Sequence, residues 1–367
     1  MNILFVGLGN LGSQVFDLFL LRASRDQQFL VAGRNVEYLR QRTSLATYAA
    51  LQLGLYPSVD CTYMDVQNVD QTAQTIWAFK PDVIFSSVTL QPSSAIAKLP
   101  PPLFEKLAQA RPGPWLPLTL VLVWKLMQAV KQTRLNVTVL NGAAPDNAHA
   151  VLGKVGLAPT TGVGNLANLI PAIRKAAAAQ LKRPIEQIQV LFIGHNQVAH
   201  GLRTSGTPGG PFSLTVLADG EEVTHFLDLQ TIFTTLPATL KHEYTQLLSA
   251  ASAAAVFEAI RTKVPTILHA PGPNGLAGAY PIRAREDGIE VVLPQGLTLE
   301  EAIRINQEGQ RLDGIEKIGS DGTVYFAEKN MAILKETLGY ECRQMPLSDV
   351  ELRAEELRAK FLAHLAR

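Results

Sequence analysis

The sequence predicts an α/β protein in which an N-terminal Rossmann domain, a doubly wound parallel sheet, is followed by a C-terminal α+β substrate domain. Three observations lead to this prediction. The chain opens with a strand, a glycine-patterned turn and an apolar helix in direct succession. Strand-like and helix-like segments alternate through the first half. Past residue 165 this alternation gives way to an Ala-rich helix, a strand and a hairpin.

The length of 367 residues suits two domains. We place a dinucleotide-binding domain at residues 1–150, the substrate domain at 151–345 and an amphipathic helix at 346–367. The first boundary follows the predicted fifth strand, Leu135–Leu140. In the substrate domain we expect one long helix over about 238–261. Its apolar face is formed by Leu240, Tyr244, Leu247 and Leu248. Capping boxes are expected at Thr298 with Glu301 and at Ser348 with Glu351.

The first strand leads into a phosphate-binding turn. The turn reads Gly7-Leu8-Gly9-Asn10-Leu11-Gly12. Gly7 permits the tight turn, Gly9 lets the backbone approach a pyrophosphate, and Gly12 lets the helix lie close to the strand. Asn10 and Leu11 stand at the helix start, where free N–H groups face an anion. The sequence therefore predicts a bound dinucleotide, against the alternative of a glycine turn without a ligand.

The second strand, Phe29–Gly33, ends at Arg34, where an NAD-binding chain usually carries an acidic residue for the ribose hydroxyl. A guanidinium there can bind a 2′-phosphate and stack on adenine, so NADP is favoured while NAD stays possible. The alternative is a solvated arginine just past a strand end.

Three further residues complete the predicted nucleotide side of the site. Asp65 and Val66 are expected to end the third strand beside the adenine, although capping of a helix by Asp65 is an alternative. Ser87 follows the fourth strand at the same edge. After it comes a proline-rich stretch, Gln91–Pro117, which is either a lid over the cofactor or a plain surface loop.

Composition excludes several classes of function. The net charge of +1 gives no basic face for nucleic acid. Cys61 and Cys342 stand far apart without metal-ligand spacing, which predicts neither a disulfide nor a metal site and favours a reducing, cytoplasmic compartment. The N-terminal strand lacks the charged lead of a signal peptide. The apolar run Leu116–Val130 is broken by Pro117 and Lys125, so we expect a buried helix and no membrane span.

Three motifs in the middle of the chain resemble the lactate/malate dehydrogenase superfamily. They are Asn141-Gly142-Ala143-Ala144-Pro145-Asp146, Gly162-Val163-Gly164-Asn165-Leu166-Ala167-Asn168 and Val190-Leu191-Phe192-Ile193-Gly194-His195. In that family the corresponding segments are an Asn-containing cofactor loop, a Gly-rich strand leading to a helix with an acid and a substrate arginine, and a strand that ends in the catalytic histidine. The resemblance covers about 60% of the chain by layout.

The resemblance implies an NAD(P)-dependent oxidoreductase acting on a carbonyl/alcohol pair. It implies that Asn141 contacts the cofactor and that His195 is the general acid–base, since an imidazole titrates near neutral pH. Asn168 stands where the family has the carboxylate that orients this histidine. The substrate arginine is missing, because the matching helix position is near Pro171.

Other cations are available to bind the small-molecule substrate. Arg174 lies one turn beyond Pro171, and His200 and Arg203 follow His195. The alternatives are that His195 is a structural histidine and that His200 and Arg203 are ordinary loop residues.

Two further functions stay open. The N-terminal half, with Arg34 and Asp65-Val66, is also similar to saccharopine dehydrogenases and opine-type imine reductases. A dinucleotide-binding sensor without turnover would tolerate the missing acid and arginine.

The C-terminal helix carries an apolar stripe with three- and four-residue spacing, formed by Val350, Ala354, Leu357, Phe361 and Leu365. Such a stripe must be covered. It packs either on its own domain or across the twofold axis of a homodimer, which would also use the Ala-rich helix at 250–255.

Overall fold

The computed structural model describes residues 1–240, 246–262, 264–285 and 288–365, with only the backbone at 93 and 94. Strands and helices alternate through the first half. They are β1 (Asn2–Val6), α1 (Asn10–Leu20), β2 (Gln28–Gly33), α2 (Val36–Gln52), β3 (Ser58–Tyr63), α3 (Val69–Phe79), β4 (Val83–Ser86), α4 (Pro101–Ala108), α5 (Leu116–Thr133), β5 (Thr138–Asn141), α6 (Pro145–Lys154) and β6 (Thr161–Gly162).

These six strands form one parallel sheet in the order β3-β2-β1-β4-β5-β6, which confirms the predicted Rossmann sheet. β1 lies in the centre, where Leu4 pairs with Leu30 on one side and Ile84 on the other. Alternate β1 residues enter different cores, Phe5 beside α1 and Leu4 beside α3 and α5. The strand order reverses between β1 and β4, so a crevice opens at their carboxyl ends.

The second half begins with α7 (Ile170–Leu181), β7 (Ile188–Gly194), α8 (Asn196–Ser205), β8 (Phe212–Ala218), β9 (Glu221–Glu222), α9 (Leu229–Leu240), α10 (Gln246–Thr262), β10 (Ile267–Pro271), β11 (Ala279–Arg285), β12 (Gly288–Val291) and α11 (Leu299–Leu312). Its strands form a sheet in the order β10-β11-β7-β8-β9, with β12 beside β11. All of these pairs are antiparallel. The predicted α+β domain is therefore confirmed, as is the hairpin at Asp219 and Gly220, where both residues have positive φ.

The predicted long helix at 238–261 is wrong at its start, because α9 already begins at Leu229 and contains Pro237. Tyr244, which we expected on the apolar face, lies outside the described residues. Leu247, expected on the same face, is 53% exposed. Its place in the core is taken by the small residues of α10, which pack directly on α1.

The chain continues past α11 with β13 (Ile315–Ile318), β14 (Val324–Phe326), α12 (Glu328–Leu338), β15 (Gln344–Met345) and α13 (Val350–Leu365). The three strands form a small antiparallel sheet. We call residues 313–365 the C-terminal extension. Its apolar side chains share one core with α3 and α5 of the first domain. Residues 315–345, which we assigned to the substrate domain, therefore pack against the first domain.

The stripe of α13 is covered within the chain. Val350, Ala354, Leu357 and Phe361 are buried, and the Phe361 ring meets Trp115 edge to face at 5.8 Å. The Ala-rich part of α10 is also covered, since it packs on α1 and Phe257 stacks on Phe19 at 4.2 Å. Both surfaces that we considered for a homodimer are thus used internally, and the homodimer itself stays a prediction.

One of the two predicted capping boxes forms. Thr298 Oγ1 accepts from Glu301 N, and the Glu301 carboxylate accepts from Thr298 N. At the other, α13 begins only at Val350, and Ser348 donates its hydroxyl to Asp349. A short 3-10 turn at Leu347–Asp349 leads into that helix instead.

The helical stretch Gly113–Thr133 is long and apolar enough to cross a membrane by length and composition, and 78% of its apolar window is buried inside the protein. It lies between α3 and α13 in the core of the first domain. This agrees with the buried helix predicted at Leu116–Val130.

Candidate functional site

The turn after β1 has the sterically restricted form that a phosphate-binding turn needs. Gly7 has a φ of +76°, and a Cβ there would lie 2.8 Å from Val88 Cγ1. A Cβ at Gly12 would lie 2.7 Å from Gly7 O, so α1 could not approach β1 with any larger residue. Around Gly9, in contrast, no heavy atom of the described residues lies within 4 Å of the position a Cβ would take.

The first turn of α1 is open to an anion. Gly9 is the N-cap and provides no side-chain oxygen for the first N–H groups. Gly9 and Asn10 are exposed, and the turn reads Asn10-Leu11-Gly12-Ser13, without a charged side chain. The unpaired N–H groups and the positive end of the helix dipole therefore suit a pyrophosphate.

Three strand ends meet beside this turn. A Cβ at Gly142, just after β5, would lie 2.8 Å from Leu11 Cδ2 and 3.2 Å from Ser87 Cβ. Ser87 Oγ lies 3.5 Å from the corresponding position at Gly12. The structure thus brings together Gly7, Leu11, Gly12 and Ser87 at the point where the strand order reverses.

Arg34 stands immediately after β2 and is exposed. Within the described ranges it takes part in none of the ion pairs. The next residue, Asn35, caps α2 by accepting from Tyr38 N at 3.0 Å. Tyr38 OH in turn donates to Leu8 O at 3.2 Å, which ties α2 to the glycine turn and places Arg34 at the edge of the same crevice.

Asp65 and Val66 do not end β3, which finishes at Tyr63. Asp65 Oδ1 accepts from Gln67 N at 3.0 Å and so stabilises the following turn. The helix cap is provided by Asn68, which means that the capping alternative for Asp65 is also wrong. Contact of Asp65 and Val66 with an adenine stays a prediction.

Asn141 differs from its implied role as a cofactor ligand. It is buried, and its Nδ2 donates to Ala143 O at 2.9 Å and to His149 Nε2 at 3.0 Å. Its Oδ1 accepts from Ala143 N. His149 Nδ1 donates to Gly272 O at 2.8 Å, and burial lowers the His149 pKa to about 4. The carboxamide therefore holds the loop after β5 and has no hydrogen left for a ligand.

His195 also differs from the expectation. Its exposed fraction is 0%, and both ring nitrogens are hydrogen-bonded within the protein. Nδ1 accepts from Gln197 N at 3.2 Å, so the proton resides on Nε2, which donates to Asn147 Oδ1 at 3.0 Å. Asn168 is not the partner, because its Nδ2 donates to Ser249 Oγ at 2.9 Å. In this structure His195 has no nitrogen available to a substrate.

The hydrogen bond between His195 and Asn147 belongs to a buried series of hydrogen bonds. Asn147 Nδ2 donates to Asp313 Oδ2 at 2.7 Å. Burial raises the pKa of Asp313 to about 8, against the smaller opposing effects of Asn147 and Arg111. Burial lowers the pKa of His195. At neutral pH this series therefore consists of three uncharged side chains, which join α6, α8 and the C-terminal extension.

Asp146 is a buried acid of the candidate site that sequence reasoning missed. It is 2% exposed and accepts from Asn196 N at 2.9 Å and from the Asn165 carboxamide. These bonds fasten the start of α8 and the loop after β6 to α6. The available signal was an acid in the first helical turn after β5, directly behind Pro145.

Two of the predicted substrate-binding residues share one face of α8. Burial lowers the pKa of the Arg203 guanidinium, and the Asp146 carboxylate raises it. Burial, Arg203 and Arg111 lower the pKa of His200, which is exposed at the rim. Arg174 points elsewhere, since it donates to Ile185 O and Glu186 O.

In the described part of the chain, no three His, Cys, Asp or Glu side chains are grouped as they would be around a metal ion. The candidate site comprises the glycine turn, the strand ends around Gly142, and Asp146 on α6 together with the start of α8 that it holds. The partly exposed residues along it are Leu11, Ser87, Gly142, Asn165, Asn196 and Arg203.

Comparison with models of protein families finds no match, and comparison with curated proteins finds none either. Solved structures do match. Malate dehydrogenase from Plasmodium falciparum is 13% identical with a TM-score of 0.55, covering 85% of this chain and 98% of its own. A lactate dehydrogenase from a Medee basin deep-sea metagenome library is 11% identical with a TM-score of 0.56, covering 91% and 98%. Lactate dehydrogenase from Eimeria maxima, solved with NADH and oxamate, is 14% identical with a TM-score of 0.56, covering 85% and 91%. At such identities the likeness concerns the fold.

Proposed function

We propose that this chain, which has the fold of the lactate and malate dehydrogenases, is an NAD(P)-dependent oxidoreductase acting on a carbonyl/alcohol pair. The observation that carries the proposal is the turn between β1 and α1. Gly7 and Gly12 are there for steric reasons, whereas the space at Gly9 is open beside the unpaired N–H groups of α1. This asymmetry fits a backbone that a pyrophosphate approaches at Gly9.

The cofactor is NADP in preference to NAD. A bound nicotinamide dinucleotide supplies or accepts the hydride, and NADH is present in the Eimeria structure. In this chain the exposed guanidinium of Arg34, at the end of β2, is available to a 2′-phosphate. Ser87 and Leu11 would line the path from the pyrophosphate toward the strand ends at Gly142.

The substrate lies against the exposed face of α8. Arg203 binds its anionic or polar group, with Asp146 holding the start of α8 in place. His200 is the imidazole available for proton transfer, because His195 is enclosed. The lowered pKa of His200 keeps this ring neutral near pH 7 and able to accept a proton from a hydroxyl group.

One observation favours a second function. The enclosure of His195, with both nitrogens bonded inside the protein, is what a dinucleotide-binding sensor without turnover would tolerate. Such a protein would bind the cofactor and change a surface for a partner, without moving a proton at the cleft.

The experiment combines calorimetry with an activity screen. We expect NADPH to bind to the wild-type chain, and NADPH oxidation to be observed with at least one member of a panel of 2-oxo acids, aldehydes and cyclic imines. Binding without turnover on the whole panel would favour the sensor, and turnover on imines alone would favour an imine reductase. Absence of binding of either dinucleotide would overturn the proposal.

A further inference from the structure

We propose that the C-terminal helix α13 forms the outer wall of the subsite for the adenine base, and that Glu355 and Arg358 on this helix recognise the edge of the base. The identity of the ligand rests on the proposed function, because it requires a bound dinucleotide. The groove that receives the base does not, since its lining residues belong to the first domain and to α13.

The groove lies between α5 and α13 and has a volume of about 220 Å³. We call it the α13 groove. The first domain lines it with Gln67, Leu90 and Val121, and α13 lines it with Glu355, Arg358 and Ala359. Pockets that enclose a whole small molecule usually measure about 300–1,000 Å³. The α13 groove is smaller and therefore suits one group of a larger ligand.

The α13 groove opens at the carboxyl edge of the parallel sheet. Gln67 follows β3, which ends at Tyr63, and Leu90 follows β4, which ends at Ser86. Leu90 N donates to Leu118 O at 2.9 Å, which joins the segment after β4 to the first turn of α5. Nucleotides bind at this edge of open α/β sheets. The position of the groove therefore fits a part of the proposed dinucleotide.

The proposed path of the dinucleotide leads to the base. The pyrophosphate lies at Gly9 after β1, and the 2′-phosphate lies at Arg34 after β2, so the adenosine half extends from β1 toward β2. In the sheet β2 is flanked by β3 and β1, and β1 is flanked by β4. The base is thus directed toward the strand ends that contribute Gln67 and Leu90 to the α13 groove.

The two walls of the groove are tied together by one ammonium group. Lys125, on α5, donates its Nζ to Gln67 O at 3.3 Å and to Glu351 Oε1 at 2.7 Å. The opposite face of α13 is fixed by its buried side chains Leu357 and Phe361. The groove therefore exists before a ligand binds, and little ordering is needed to fill it.

The extension also anchors the proline-rich stretch that we predicted as a lid or a plain loop. Asn330 Nδ2 donates to Ala110 O at 3.1 Å, and Gly113 N donates to Asp313 O at 2.8 Å. Within the described ranges, no residue of 91–117 is among those that line the groove. The outer wall is thus formed by α13 and not by this stretch.

Two of the charged side chains in the groove have no partner within the protein. In the described part of the chain, Glu355 and Arg358 take part in no ion pair, although they stand three residues apart on one helix face. The other acidic, lysine and arginine side chains of α13 are all paired, namely those of Glu351, Arg353, Glu356 and Lys360. Glu355 and Arg358 are therefore available to a ligand.

The lining matches adenine in both its faces and its edge. Leu90 and Val121 on one side and Ala359 on the other offer apolar contacts to the flat faces of a base. The edge of adenine carries an amino donor and ring-nitrogen acceptors. The Glu355 carboxylate can accept from the amino group, and the Arg358 guanidinium can donate to a ring nitrogen. Hypoxanthine has an oxo group in place of the amino group and would turn an acceptor toward Glu355.

The first test compares NADPH with its hypoxanthine analogue by calorimetry on the full-length chain. We expect the wild type to bind NADPH at least about ten times more tightly than the analogue. Glu355→Gln should remove most of this preference, because a carboxamide can accept from an amino group and donate to an oxo group. Glu356→Gln is the matched control. It removes the adjacent acid, which is paired with Arg353 and Lys360, and should keep the preference.

The second test fills the α13 groove. Ala359→Phe introduces a ring at an exposed position of the lining and should weaken NADPH binding at least about tenfold. Ala363→Phe makes the same change at an exposed position one turn further along α13, outside the lining, and should leave the affinity unchanged. Thermal melts without cofactor check that both variants are folded.

The outcomes separate this inference from the proposed function. If neither NADPH nor NADH binds to the wild type, the proposed function is overturned and the adenine subsite with it. If NADPH binds and the preference for adenine is absent, or is unchanged in Glu355→Gln, recognition by Glu355 is overturned while the proposed function stands. If NADPH binds equally well to Ala359→Phe and to the wild type, the base lies outside the α13 groove.

Discussion

Asn147 Oδ1 lies 3.0 Å from His195 Nε2, and the same carboxamide donates to Asp313 at 2.7 Å. The buried Asn147 side chain thus provides hydrogen-bond partners for His195, at the start of α8, and for Asp313, in the C-terminal extension. Asn147→Ala should lower the free energy of unfolding by about 1–3 kcal/mol, because it leaves buried polar groups unpaired. Chemical denaturation measures this loss. Asn168→Asp should leave the hydrogen bond between His195 Nε2 and Asn147 Oδ1 intact, since Asn168 bonds Ser249, and loss of the Nε2–H signal of this bond in the NMR spectrum would contradict the structure.

Arg34 should determine the choice between the two dinucleotides. NADPH is expected to bind at least about ten times more tightly than NADH, and Arg34→Ala should remove about 1.4 kcal/mol or more of that preference. Calorimetry measures both affinities. Arg40→Ala, an exposed arginine on α2, is the matched control and should preserve the preference. Equal wild-type affinities for the two cofactors would show that the guanidinium does not read the 2′-phosphate.

Replacing Gly9 or Gly12 by a larger residue should affect different properties of the protein, cofactor binding at Gly9 and stability at Gly12. Gly9→Val should keep the fold and abolish dinucleotide binding, because the new side chain enters open space that the pyrophosphate needs. Gly12→Ala should instead lower the thermal midpoint, because its Cβ would meet Gly7 O at 2.7 Å. Thermal melts with and without NADPH separate the two effects. Retained NADPH binding in Gly9→Val would refute the proposed pyrophosphate position.

Asp313 should make the protein less stable as the pH rises toward 8. Its folded pKa of about 8 lies above the unfolded value of about 3.9, so the folded state keeps a proton that the unfolded state has lost. The free energy of unfolding then falls by up to about 1.4 kcal/mol per pH unit in this window. Buried His149 and His269, with pKa values lowered by burial to about 4 and about 3, have the opposite effect below pH 6.5.

The contribution of Asp313 is therefore isolated between about pH 6.5 and 8. Asp313→Asn keeps an acceptor for Asn147 and should flatten the decline in this range. Urea denaturation at several pH values measures it. A decline of equal slope in the variant would assign the effect to another group.

Only the buried face of α13 should contribute strongly to the stability of the protein. Leu357→Ala, at a fully buried position, should cost about 2–5 kcal/mol, whereas Leu352→Ala, at a position 62% exposed, should cost less than about 0.5 kcal/mol. Removal of residues 347–367 should cause aggregation, because it uncovers the apolar face of α5. Light scattering detects it. A soluble truncated monomer would indicate that α13 serves an interface between copies.

The sequence predicted what local pattern controls. The strand, the glycines and the apolar helix at the N-terminus lie within twenty residues, and the alternation of elements sets the parallel sheet. The hydrogen-bond partner of His195 could not be predicted from the sequence, because Asn147 and Asn168 have the same side chain and only the packing of α6 against α8 decides between them. The stripe of α13 showed that a face must be covered, but its spacing does not identify the covering surface.

The packing of α13 on α5 also has a consequence for how the protein is made. Helix α5, Leu116–Thr133, emerges from the ribosome well before its covering helix, Val350–Leu365. Until then the nascent first domain presents an apolar face to its surroundings, to which chaperones can bind. Two segments that are far apart in the sequence must find each other before this domain is finished, so a fragment that ends before α13 should be a poor substitute for one that contains it.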